Sequence, residues 1–118
     1  DLAAAMVPTA DGSATTLDPA TAATALYGSC PPHAVRAALP RLSPQSMASM
    51  TEAASGAPRR TIPSTYVVCT QDRAVHPAHQ RAPAKRCSHQ HEIDTDHSPF
   101  LSAVGPTADI IEQIAIAT

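Results

Sequence analysis

The sequence predicts an α/β fold, on three observations. Residues 64–69 form a short run with a continuous apolar centre, Tyr66-Val67-Val68-Cys69, which suits a strand covered on both faces. From that point the order is strand, polar loop, helix, strand, polar loop, helix, the order from which parallel sheets are built. Asp72 and His97 follow the two strand candidates closely, at the strand ends where such sheets gather their binding groups.

The elements divide into a first segment, 1–58, and a second, 59–118. In the first, residues 3–7 read as a helix tail and residues 12–16 as a polar turn. Asp18 caps a helix whose first residue is Pro19, and that helix ends near Gly28. Pro31-Pro32 opens a second helix that Pro40 stops. Ser43-Pro44 repeats the device, with Leu42 and Met47 as a hydrophobic staple and Met47 and Met50 on one face. This segment reads as a helical cap or lid.

In the second segment, residues 56–63 are a linker containing Arg59-Arg60. His76-Pro77 starts a helix through Gln80, Ala84 and Cys87 that Pro83 shortens. His91-Glu92-Ile93 is a second strand. Gly105-Pro106 starts the last helix, with Asp109 in its first turn and Ile110, Ile111, Ile114 and Ala117 as a buried stripe.

Composition sets limits. Leu, Ile, Val and Phe make up 19 of the 118 residues, and Phe100 is the one phenylalanine. Abundant alanine favours helix but adds little apolar area. Disorder is one reading of such a chain. A net charge of only −2 and clear late strand signals favour the other, a chain that folds against a larger body. Eight basic and ten acidic residues form no block, so a nucleic-acid partner is excluded. No apolar run crosses a bilayer and no basic leader precedes Asp11, which favours a soluble, cytoplasmic protein. Three widely spaced cysteines neither require nor exclude a disulfide, and no CxxC pair exists.

Asp72 and His97 are the catalytic candidates. A carboxylate beside an imidazole orients the ring and stabilises it once it carries a proton. Histidine suits the base because it titrates near neutrality. Spacing alone leaves Asp72 a turn carboxylate and His97 a loop histidine with comparable weight.

The residues Val67-Val68-Cys69-Thr70-Gln71-Asp72-Arg73-Ala74 and Asp96-His97-Ser98-Pro99-Phe100-Leu101-Ser102 resemble the C-terminal portion of α/β-hydrolases. They are most similar to the small esterases related to plant methylesterases and hydroxynitrile lyases. The likeness is strong over residues 60–114 and looser over the helices of 18–54. It implies that Asp72 is the triad acid and His97 the general base. No G-x-S-x-G nucleophile elbow occurs in the sequence, and Gly12-Ser13 and Gly28-Ser29 do not have its pattern.

The expectation is therefore the C-terminal part of an α/β-hydrolase fold with a helical cap, incomplete without an N-terminal half. That partner half would carry the serine, and the chain alone would be inactive. Ser98 stands where the hydroxynitrile lyases carry a lysine, which favours hydrolysis of a small ester. Leu26, Tyr27, Met47 and Met50 are expected to line the substrate pocket, with no cofactor and no metal. The alternatives are a non-catalytic binding or assembly protein, a lyase or cyclase on the same scaffold, or a metal site drawn from His76, His79, His89, His91, Asp94, Asp96 and His97.

Overall fold

Short strands of mixed apolar and polar residues, Met-Val-Pro, Ala-Thr-Thr-Leu and Gln-Ser, build the first sheet. The computed structural model describes residues 2–56 and 61–116. The boundary expected at 58, the Arg59-Arg60 pair, part of the expected linker and Ala117 lie outside the described residues. Strands β1 (Met6–Pro8), β2 (Ala14–Leu17) and β3 (Gln45–Ser46) pair antiparallel in that order. The β1–β2 connection turns at Gly12, whose φ of 68° suits a residue without a Cβ. β-branched Thr15 and Thr16 fit the pleat, and Thr15 is buried.

Helix α1 (Pro19–Tyr27) starts as its sequence dictates. Asp18 Oδ2 accepts from the Thr21 amide at 2.9 Å and the Thr21 hydroxyl at 2.6 Å. Those bonds hold the half-buried Asp18 carboxyl below its ordinary range. Helix α2 (Pro32–Ala38) ends in a 3-10 turn, Leu39–Arg41, that includes Pro40. The helix expected after Ser43-Pro44 is displaced. Gln45 and Ser46 pair with β2, and only the single turn α3 (Ala48–Thr51) follows.

In the second half β4 (Thr65–Cys69) and β5 (His89–Ile93) pair in parallel, from Thr65 opposite His89 to Cys69 opposite Ile93. Helix α4 (Pro77–Ala84) packs on β4 and stops one residue past Pro83, short of the expected Cys87. Helices α5 (Pro99–Ser102) and α6 (Val104–Ile116) follow. The expected buried stripe of α6 is not formed. No described residue of α6 is buried, and Ile111 is 61% exposed. Asp109 lies beyond the first turn.

Two small cores result. Ala5, Ala22, Ala25 and Leu26 close beneath α1, while Val68, Cys69, Ala84 and Ile93 close between the parallel pair and α4. Small side chains bury little area each, so hydrogen bonds carry much of the specificity.

The expectation of a purely helical first segment serving a core that lacks its N-terminal half needs correction. The first 56 residues carry their own three-stranded sheet, and both sheets and the cap helices are built from this chain. Ala-Thr-Thr-Leu and Gln-Ser have no apolar alternation by which a sequence pattern could mark them as strands. Among the described residues, no helix is long and apolar enough to cross a membrane.

Candidate active site

The parallel register places the two strand ends side by side, and the loops that leave them are joined. The Thr70 amide donates to the Ile93 carbonyl at 2.9 Å, and the Gln71 amide donates to the Thr95 carbonyl at 3.0 Å. Asp94 Oδ1 then accepts from the Thr70 hydroxyl at 2.6 Å and from Gln71 Nε2 at 2.8 Å. These two donors hold the Asp94 carboxyl below its ordinary range.

On this support Asp72 and His97 meet. Asp72 Oδ2 lies 2.9 Å from His97 Nδ1. The Asp72 carboxylate is nearly closed off from solvent, while the His97 side chain is 37% exposed. The other Asp72 partners are all donors. The Ala74 and Val75 amides reach Oδ1 at 2.8 and 2.9 Å, and Gln80 Nε2 reaches Oδ2 at 2.9 Å. Asp72 thus acts as an acceptor toward the ring, which places the proton on Nδ1 and leaves the Nε2 lone pair free to take another. Among the described residues, Nε2 has no hydrogen-bond partner.

Gln80 is the residue that sequence reasoning missed. Only 3% exposed on α4, it accepts from the Cys69 amide at 3.0 Å through Oε1. Its Nε2 also donates to the Val75 carbonyl at 2.7 Å. One amide group therefore fixes the end of β4, the following turn and the Asp72 carboxylate together. The signal for it is its place one turn into a helix that begins just after the acid loop.

Asp96 and Ser102 form a second set. Asp96, 2% exposed, accepts from the Ser98 amide and the Ser102 hydroxyl through Oδ1, at 3.0 and 2.7 Å. Its Oδ2 accepts from the Ser29 amide at 2.7 Å and faces the Cys30 thiol at 3.5 Å. Burial acts to raise the Asp96 carboxyl, but the bonds from Ser102, Ser29, Ser98 and Cys30 outweigh it and hold it below its ordinary range. Burial, reinforced by Asp96, pushes the Cys30 thiol up to about 11, so it remains a donor. The Ser102 hydroxyl also lies 2.6 Å from Thr95 Oγ1 and 3.0 Å from the Ser98 carbonyl.

The four expected pocket residues separate. Leu26 belongs to the core beneath α1, and Met50 is exposed. Tyr27 lines a cavity of about 360 Å³ together with Ala34, Ala37, Ala38, Arg41, Leu42, Phe100 and Leu101; Leu26, Met47 and Met50 are not among its lining residues. A cavity of about 420 Å³ is lined by Asp72 with Arg73, Ala74, His76 and His79. A larger one, about 540 Å³, opens at the amino ends of β4 and β5, away from the dyad. Among the described residues, no group of three or more His, Cys, Asp or Glu side chains could hold a metal ion.

Residues 2–110 match the model of the Alpha/beta hydrolase family. The chain belongs to the α/β-hydrolase family. No curated protein matches it. Solved structures do, at low identity. Polyneuridine aldehyde esterase is 16% identical with a TM-score of 0.75, covering 93% of this chain and 47% of that one. A methylesterase from Arabidopsis is 17% identical at 0.75, covering 88% and 47%. A pyrethroid hydrolase is 18% identical at 0.75, covering 97% and 48%. The chain spans less than half the length of these structures, and at such identity the likeness speaks to fold.

These matches correct several expectations. A resemblance confined to a C-terminal portion is overturned by a family match that begins at residue 2 and takes in both halves of this α/β-hydrolase chain. With it goes the inference of an obligatory separate N-terminal partner half, and of a chain inactive until that half is supplied. The assignment of the serine to such a half is corrected as well, because the chain carries a serine, Ser102, on the helix that follows His97. The sharp loop motifs of the second half outweigh, in the sequence, the small-residue elements of the first. In this structure the single Ser102 hydroxyl proton faces Asp96 Oδ1 at 2.7 Å, with the Ser98 carbonyl farther off at 3.0 Å.

Proposed function

We propose that this α/β-hydrolase chain acts in the hydrolysis of carboxylic esters, with His97 as general base and acid and Asp72 as its orienting carboxylate. The observation that carries the reading is the 2.9 Å contact between Asp72 Oδ2 and His97 Nδ1 at the ends of two adjacent parallel strands. His97 Nε2 takes the proton from an attacking oxygen as that oxygen bonds to the ester carbonyl carbon. It returns the proton to the alkoxide as the carbon–oxygen ester bond breaks. The Asp72 carboxylate stabilises the ring while it is charged. The three structural relatives, each named as an esterase or hydrolase, support this reaction class.

The apolar part of the ester is assigned to the cavity of Tyr27, Leu42, Phe100 and Leu101, since Phe100 and Leu101 follow His97 closely on α5. Arg41 adds a cation to that lining.

The test is turnover of p-nitrophenyl acetate by the full-length protein. His97→Ala should lower kcat/KM by about 10⁴-fold. Turnover unchanged by that substitution would remove His97 from the chemistry. Ser102→Ala examines the hydroxyl. A loss equal to that of His97→Ala would make Ser102 the attacking group, and a small loss would leave it a support for Asp96.

A further inference from the structure

We propose that Asp96 is a positioning residue that ties the end of cap helix α1 to the loop carrying His97, so that the cap and the base are held as one unit. Ser29 and Cys30 follow the Gly28 that caps α1, and Asp96 precedes His97; the contacts between them span 67 and 66 residues of sequence. Asp96 is among the most deeply buried side chains, and all four groups that approach its oxygens are donors. A carboxylate has lone pairs for all four, whereas an amide of the same shape would turn N–H groups toward one pair of them. Oδ1 fixes the backbone on the carboxyl side of His97 through the Ser98 amide, and Oδ2 fixes the cap through the Ser29 amide. The His97 backbone therefore sits between two anchored points, one of them tied to the segment that follows α1. Displacement of α1 together with Ser29 must break this link or move the imidazole away from Asp72.

The kinetic arm of the test rests on the proposed ester hydrolysis, and the spectroscopic arm does not. In the full-length protein, Asp96→Asn should lower kcat for p-nitrophenyl acetate about tenfold or more while KM changes by less than about threefold. The proton resonance of His97 Nδ1–H, the hydrogen in the bond to Asp72, should shift or broaden in the same variant. Asp109→Asn, which removes an equal charge from the exposed surface of α6, should do neither. An Asp96→Asn protein with wild-type kcat and an unmoved His97 resonance overturns the coupling. If the unsubstituted protein turns over no ester but Asp96→Asn still moves the resonance, the hydrolase reading fails and the coupling stands. If the unsubstituted protein turns over ester and the resonance of Asp96→Asn does not move, the coupling fails and the hydrolase reading stands. Should Asp96→Asn not fold, Cys30→Ala combined with Ser102→Ala removes two side-chain donors and keeps both amides. A smaller shift of the same resonance is then expected, and its absence overturns the proposal.

Discussion

The two ends of the parallel strand pair are built by different forces. At the carboxyl ends of β4 and β5, Asp72, Gln80, Thr95, Asp96 and Ser98 are all buried, and hydrogen bonds join them into connected sets. At the amino ends a cavity of about 540 Å³ opens between Ile62, Thr65, His89, His91 and Ile114. There the buried Ser64 hydroxyl has no hydrogen-bond partner among the described residues. Polar burial is tolerated where every group is answered and is disfavoured where it is not. The end that carries the candidate chemistry is therefore the pre-organised end, and the opposite end is loosely specified.

The largest effects should come from the organised end. Asp72→Asn should reduce ester turnover by about 10⁴-fold, since an amide presents a donor to Nδ1 and turns the wrong tautomer toward the substrate. A kcat/KM within about threefold of the unsubstituted protein would mean that the ring is oriented by something else. Gln80→Leu comes next. It strips the Cys69 amide and the Asp72 carboxylate of a buried partner, and should lower unfolding free energy by about 2–4 kcal/mol in urea titration.

Tyr27→Ala should raise KM severalfold, on the order of threefold, with little change in kcat, if the cavity it lines holds the apolar part of the ester. Met50→Ala, outside that cavity, gives the comparison.

Acid should separate the two ends further. The folded-state pKa of Asp96 lies below its ordinary value of 3.8, so the folded protein binds this proton less readily than the unfolded chain. Its contribution to stability is in full force well above pH 4 and fades as pH falls through 3.8 toward the lower folded value. Urea midpoints measured from pH 6 down to pH 3 should fall more steeply in the unsubstituted protein than in Asp96→Asn, and equal slopes would contradict this. The smallest effect belongs to the far region. Ile111→Ser, on exposed α6, should change stability by less than about 0.5 kcal/mol in the same titration.

What could be read from the sequence follows the same division. The strand at Thr65–Cys69, the Asp18 cap of α1 and the loop positions of Asp72 and His97 all stand on local patterns of apolar runs, caps and prolines. The antiparallel sheet was hidden because its strands are short, and Thr15, Thr16, Gln45 and Ser46 pair through backbone rather than through an apolar face. The stripe on α6 failed for the opposite reason. Isoleucine spacing states which face is apolar, not whether anything covers it. Gln80 and the Asp96 links to Ser29 and Cys30 depend on contacts formed only when distant segments pack, and no single-chain pattern announces them.

The pairing of Cys69 with Ile93 bears on how this protein can change over evolutionary time. Only Thr70 and Gln71 separate Cys69 from the acid, and only Asp94, Thr95 and Asp96 separate Ile93 from the imidazole. A one-residue insertion or deletion in either stretch would carry one partner roughly 3.3 Å along its strand direction or rotate it to the other face. Length variation in homologous chains should accordingly be tolerated between α4 and β5 and purged from these two short connectors, whatever happens to the side chains within them.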